Sequence, residues 1–114
     1  MNKKRRHFGE FEQLLLYAVR HLQDDEAGAS GPTIRRAIET HTKRTISPGA
    51  IYTALDRLER RGFVRSEFGD PTPERGGRAK RFYVATPRAV AALRDSRHAL
   101  LALWRGLDGV LGRA

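Results

Sequence analysis

The chain has 114 residues, enough for one domain with a real core and too few for two. Its 22 Lys and Arg outweigh 13 Asp and Glu to give a formal charge of +9, a balance that favours polyanionic partners such as nucleic acid but also suits a merely soluble basic protein. There is no cysteine, so disulfides, thiol nucleophiles and thiolate metal sites are excluded.

Met1 to Arg6 reads MNKKRR, basic like the start of a signal peptide, but Phe8-Gly9-Glu10-Phe11-Glu12 interrupts any apolar run after it. The apolar run Leu14 to Val19 is far shorter than the roughly 20 residues needed to span a bilayer. No membrane partner is expected, and the cysteine-free composition is consistent with a cytoplasmic location. Lys3, Lys4, Arg5 and Arg6 read either as a solubilising start or as an arm touching DNA phosphates.

A first helix is predicted from about Gly9 to Gln23. Phe11, Leu14, Leu15, Ala18, Val19 and Leu22 give it an apolar face broad enough to be buried on two sides. Asp24 to Gly31 is a polar loop of small and acidic residues. A second helix runs from about Pro32-Thr33 to His41, with Ile34, Ala37 and Ile38 as a narrow apolar stripe. Thr33, Arg35 and Arg36 lie off that stripe and suit either phosphate contact or plain solvation. The connector Thr42 to Ile46 carries Lys43 and Arg44, with the same two readings.

Ser47 to Val64, SPGAIYTALDRLERRGFV, is the most informative stretch. Ser47 is a good N-cap, and Pro48 suits the first helical position, where its missing N–H costs nothing. Ile51, Ala54, Leu55 and Leu58 recur at helical spacing and define a buried face. Tyr52, Thr53, Asp56, Arg57 and Arg60 fall on other faces, and Gly62 sits where a left-handed cap belongs. A short helix with an apolar back and a cationic front fits the DNA major groove. An ordinary surface helix is the alternative.

Phe63 to Phe68 and Arg81 to Thr86 have strand composition, and GDPTPERGGRAK lies between them. Its prolines and glycines forbid regular structure, and Gly76-Gly77 permits a reversal. The result is a β-hairpin whose tip carries Arg75, Arg78, Lys80 and Arg81, a wing able to follow phosphates or enter a minor groove. From Thr86-Pro87 a long helix is predicted to reach about Leu111. Val90, Leu93, Arg97, Leu100, Trp104, Leu107 and Leu111 alternate spacings of 3 and 4 along it. About 25 residues make a rod near 38 Å, too long for the small domain to cover. A second copy of the chain is the simplest cover for its stripe.

These residues resemble the PadR family of transcriptional regulators, a branch of the winged helix-turn-helix proteins. The matching segments are GEFEQLLLYAVRHL (9 to 22), TIRRAIETHT (33 to 42), SPGAIYTALDRLERRGFV (47 to 64) and PTPERGGRAKRFYVATPRAVAAL (71 to 93), in the family's order. The resemblance implies a mainly α fold with a small β-hairpin, a winged helix-turn-helix domain (residues 1 to 86) and a C-terminal dimerisation helix (87 to 114). It also implies a homodimeric, sequence-specific DNA-binding regulator, a repressor, of a kind whose affinity can respond to a small molecule. The first helix would then meet the partner subunit's last helix. Leu15, Val19, Val90, Leu93, Leu100, Trp104, Leu107 and Leu111 are the expected interface. Some short members sandwich flat aromatic compounds between paired interfacial tryptophans, and Trp104 looks like a counterpart; simple interface packing is the other reading. Two departures stand out: Ser30-Gly31 replaces the Tyr-Gly pair that often opens the second helix, and Pro87-Arg88-Ala89-Val90 lacks the glycine often found early in the last one.

The expected contacts to double-stranded DNA are Thr33, Lys43, Ser47, Gly49, Tyr52, Thr53, Arg57, Arg75, Arg78, Lys80 and Arg81. Free N–H groups at the helix start would meet phosphate, with Gly49 permitting close approach. Tyr52 can donate to phosphate or sit at the core edge, the Thr53 methyl can meet a thymine methyl, and Arg57 can read guanine or hold the backbone. Asp56 and Glu59 would repel DNA and should face sideways toward arginines. His7, His21, His41 and His98 have no metal-ligand spacing, and no catalytic constellation or cofactor site is recognisable. A winged-helix module that binds protein rather than DNA is the alternative function.

Overall fold

The computed structural model describes residues 8–69 and 80–111. In order they form α1 (Glu10–Leu22), α2 (Gly31–Thr42), α3 (Pro48–Arg60), β1 (Val64–Phe68), β2 (Arg81–Ala85), α4 (Pro87–Trp104) and α5 (Asp108–Leu111). The chain is mainly helical, with one antiparallel hairpin. Arg75, Arg78 and the basic residues Lys3 to Arg6 lie outside the described residues.

Local chemistry sets the helix starts. The Glu12 carboxylate accepts from the Gly9 N–H at 3.2 Å at the head of α1. At α2 the exchange is reciprocal: Ser30 N–H donates to Thr33 Oγ1 at 2.9 Å, and Thr33 N–H donates to Ser30 Oγ at 3.4 Å. Ser47 and Thr86 hydroxyls accept from the Ala50 and Ala89 amides, with Pro48 and Pro87 directly after each cap. Such caps each contribute about 1 kcal/mol. The α3 stop is equally local: Gly62 takes φ of 82°, and the Phe63 amide donates back to the Leu58 carbonyl at 2.9 Å.

Apolar faces of α1 to α4 and of both strands meet in one core. Leu15, Leu16 and Val19 of α1 pack with Ile34 and Ile38 of α2 and with Ile51, Leu55 and Leu58 of α3; Phe63, Val64 and Tyr83 close the hairpin side. Burial of each large side chain is worth roughly 1.5–3 kcal/mol. The hairpin pairs Val64 with Ala85 through Phe68 with Arg81. A single isolated bridge borders it: the Tyr83 amide donates to the Ala29 carbonyl at 2.8 Å, and Ser30 bridges Phe82. Gly28 makes that approach possible, because its φ is 74° and a side chain there would meet the Phe82 ring.

Two expectations need correction. The last helix does not run unbroken to Leu111. It ends at Trp104, and the Leu107 amide donates to the Trp104 carbonyl at 2.7 Å in a tighter turn before α5. Gly106 sits in that turn, where it is the weakest helix former available and where residues 101–107 are all exposed, so no packing enforces continuity. Eighteen residues span about 27 Å rather than 38 Å. Secondly, Leu15 and Val19 are sealed inside the protomer rather than turned toward a partner, and Leu93 is nearly so. The α1 face is broad, and its centre belongs to the protomer's own core.

Candidate nucleic-acid interface

The connection from α2 to α3 is short and held by a carboxylate. Glu39 accepts from the Ile46 amide at 2.7 Å and from Arg35 Nε at 3.4 Å. The Ile46 amide, and secondarily Arg35, hold this carboxyl below the usual range against an opposing desolvation effect. Lys43 closes α2 in the left-handed region, with φ of 62°, and is the single non-glycine residue with positive φ among the described residues. That conformation costs about 1–2 kcal/mol for a side-chain-bearing residue. Lysine there brings no compensating ion pair with another described residue, and its side chain is exposed. Such an outlier motivates a functional reading.

α3 buries Ile51, Ala54, Leu55 and Leu58 and leaves Ser47, Gly49, Tyr52, Thr53 and Arg57 on its outer side. At its tip the Ala50 amide is taken by Ser47 Oγ and the Ile51 amide by the Ser47 carbonyl, while Pro48 has none. The Gly49 amide is left pointing outward at the positive end of the helix dipole. A side chain at Gly49 would meet nothing within 4 Å, so packing inside the protomer does not require glycine there. Arg57 is exposed and forms no ion pair with another described residue.

Tyr52 sits at the edge of the core, one of the two readings its sequence position allowed. It is 40% exposed, yet its ring lies so close over Gly31 that a methyl group there would collide with the hydroxyl and the ring carbons beside it. The aromatic ring therefore braces α3 against the start of α2. Nothing in the sequence pattern announces that pairing beyond the presence of Gly31 itself.

Two expected contacts are spoken for inside the protomer. Thr33 Oγ1 donates to the Gly28 carbonyl at 2.7 Å while accepting from Ser30, so its hydroxyl holds the α2 cap and does not face outward. Arg81, expected at the wing's DNA-facing edge, turns toward α3: Nη2 donates to Glu59 Oε1 at 2.7 Å, and Nη1 lies 3.7 Å from Asp56 Oδ1. Asp56 and Glu59 do pair sideways, as their charge required. Lys80 remains at the mouth of the wing, half-buried, its ammonium 5.8 Å from the Phe82 ring centre. Arg44 reaches the Glu10 carboxylate at 2.7 Å.

The later turns of α4 expose a run of large apolar side chains. Ser96 Oγ still donates to Gln13 Oε1 of α1 at 3.0 Å; beyond it Leu100, Leu101, Leu103, Trp104 and Leu107 are exposed, Leu100 at 58% and Trp104 at 42%. Val90 is half-buried at the start of that stripe. A groove of about 310 Å³ opens between α1 and α2, lined by Leu14, Tyr17, Ala18, His21, Ala37 and His41 among others. Among the described residues no group of three His, Cys, Asp or Glu could hold a metal ion, and no helix is long and apolar enough to cross a membrane.

Three helices carrying a helix-turn-helix, followed by a two-stranded wing, define the winged helix-turn-helix class. The family model for the transcriptional regulator PadR-like family matches residues 21–95, and the chain belongs to that family. It is 38% identical over 96 residues to transcriptional regulator Rv3488 of Mycobacterium tuberculosis, covering 82% of this chain and 81% of that one. The crystal structure of a PadR-like transcriptional regulator (BC4206) from Bacillus cereus superimposes with a TM-score of 0.70 at 15% identity, covering 91% of this chain and 93% of that one. A transcriptional regulator from Thermoplasma acidophilum (TA0346) gives 0.66 at 24% identity, covering 89% and 92%. The family and these relatives are transcriptional regulators, not enzymes.

Proposed function

We propose that the protein is a homodimeric, sequence-specific DNA-binding transcriptional regulator that acts as a repressor. The observation that carries this reading is the outer face of α3. Ser47, Gly49, Thr53 and Arg57 are exposed there, with an unencumbered glycine amide at the helix tip and a cation one turn beyond Thr53. Such a face enters the major groove, with Lys43 and Lys80 flanking it toward phosphate.

The dimer reading rests on the apolar stripe from Leu100 to Leu107, which no described part of the protomer covers. In this division residues 1–86 bind DNA and 87–114 join two copies. A second copy would place two α3 helices on successive major grooves, about 34–36 Å apart. The exposed Trp104 indole supports a flat aromatic effector stacking at the junction.

Selection of genomic DNA fragments at near-physiological salt tests the reading. A two-fold-symmetric site with half-sites about one helical turn apart is the expected result. Arg57→Ala should then cost about 1–3 kcal/mol of discrimination between that site and random duplex. Recovery of nothing above background would defeat the proposal in favour of a protein-binding winged helix.

A further inference from the structure

The recognition helix carries two carboxylates, Asp56 and Glu59, on the side turned toward the wing. Neither suits a DNA interface, yet both are held by one wing residue. Arg81, the first residue of β2, donates to Glu59 at 2.7 Å and approaches Asp56 at 3.7 Å. Ser66, on the partner strand β1, donates to the other Glu59 oxygen at 2.9 Å. The guanidinium also lies 5.2 Å from the Tyr83 ring centre and 5.9 Å from that of Phe68, stacked among the hydrophobic groups of the hairpin. Its Nε is buried with no hydrogen-bond partner, and so is the Tyr83 hydroxyl.

Glu59 is thus gripped from both strands, one oxygen each, and Asp56 is drawn to the same cation. Asp56 and Glu59 are three residues apart, one turn of α3, so the grip fixes the helix in rotation as well as distance. No other side-chain hydrogen bond between α3 and the hairpin occurs among the described residues.

We propose that Arg81 is a positioning residue for DNA recognition: through Glu59 and Asp56 it sets the angle between the recognition helix and the wing, and it does not itself contact DNA. This deepens the proposed function and rests on it for the DNA arm of the test. The clamp makes an unusual demand. Removing a negative charge from a DNA-facing helix ordinarily strengthens DNA binding, because fewer phosphates are repelled. If Glu59 is the clamp's anchor, Glu59→Gln instead weakens binding to the operator while leaving or improving binding to random duplex. Lysine cannot bridge two carboxylates as a guanidinium does, so Arg81→Lys should rescue only partly.

The experiment compares Arg81→Gln, Arg81→Lys, Glu59→Gln and the Arg81→Gln/Glu59→Gln double variant. Affinity is measured for the selected operator and for a scrambled duplex between 50 and 200 mM salt, beside thermal unfolding and amide hydrogen exchange of the free protein. The expected result is an operator-to-random ratio lowered about fivefold in Arg81→Gln and in Glu59→Gln, a smaller loss in Arg81→Lys, and no further loss in the double. The salt slope should be unchanged, and faster exchange should be confined to β1, β2 and the end of α3. If Arg81→Gln lowers the salt slope by about 0.9 and weakens both duplexes alike, Arg81 is a phosphate contact and the clamp is overturned. Tighter operator binding by Glu59→Gln would overturn it too. Should the wild type prefer no duplex, the DNA reading fails, and hydrogen exchange still decides the clamp: unchanged strand protection in both variants removes it.

Discussion

Replacing Gly31 with alanine offers the sharpest test of how the fold presents its DNA-facing residues. The new methyl group would overlap the Tyr52 hydroxyl and ring, so one of them must move. The ring is 40% exposed and can swing into solvent, whereas the α2 backbone is pinned by the Ser30–Thr33 exchange. The ring would lose up to about 100 Å² of covered surface, or about 2.5 kcal/mol at most. Alanine in place of glycine at the helix start returns about 0.5–1 kcal/mol. A net loss of about 1–2 kcal/mol results, or about 5–15 °C in melting temperature. Operator affinity should fall as well, by about three- to tenfold, if the Tyr52 hydroxyl holds a phosphate. Both effects should vanish in a cycle: once Gly31→Ala has expelled the ring, adding Tyr52→Ala changes stability and DNA binding little. Thermal unfolding and fluorescence anisotropy on the four proteins measure this. Equal cost of Tyr52→Ala in both backgrounds would refute the contact and the reasoning built on it.

Lys43→Gly should raise stability by about 1 kcal/mol, since glycine adopts the left-handed cap freely, while weakening binding to all duplexes and reducing the salt slope by about 0.9; chemical denaturation and salt titration read the two halves separately. Leu100→Asp should convert a dimer to a monomer on size-exclusion chromatography with light scattering, and a persistent dimer would move the interface off α4. Glu39 has its folded-state carboxyl lowered, chiefly by the Ile46 amide, so it stabilises the fold above the unfolded carboxylate range and that contribution is lost as pH falls through the folded value. Glu39→Gln keeps an oxygen for the Ile46 amide but not the charge, so urea midpoints of wild type and variant should differ at neutral pH and converge in acid, below the folded value.

Much of the architecture was legible because it is written in short-range chemistry. Ser47-Pro48 and Thr86-Pro87 announce helix starts through groups three residues apart, and Ile51, Ala54, Leu55 and Leu58 mark a buried face by periodicity alone. The strands of the hairpin could be read from composition, and the pairing of Asp56 and Glu59 with an arginine from charge. Even the candidate face of α3 was readable, since residues off the buried stripe must lie outside.

The choices left open by the sequence depend on which of several equivalent neighbours a side chain meets. Thr33 and Arg81 look like free polar groups on paper; folding gives the first to the Gly28 carbonyl and the second to Glu59 across 22 residues. Leu15 and Val19 share an apolar face with Leu14 and Ala18, and only packing decides that the former fill the core while the latter line an open groove. A heptad stripe continues through Gly106 in the sequence, but a helix without tertiary contacts does not survive its weakest residue there. Periodicity and capping act over one turn and belong to the sequence. Partner choice between groups far apart in the chain is settled by the geometry of the packed whole, and it is there that Gly31, Tyr52 and Arg81 acquire their roles.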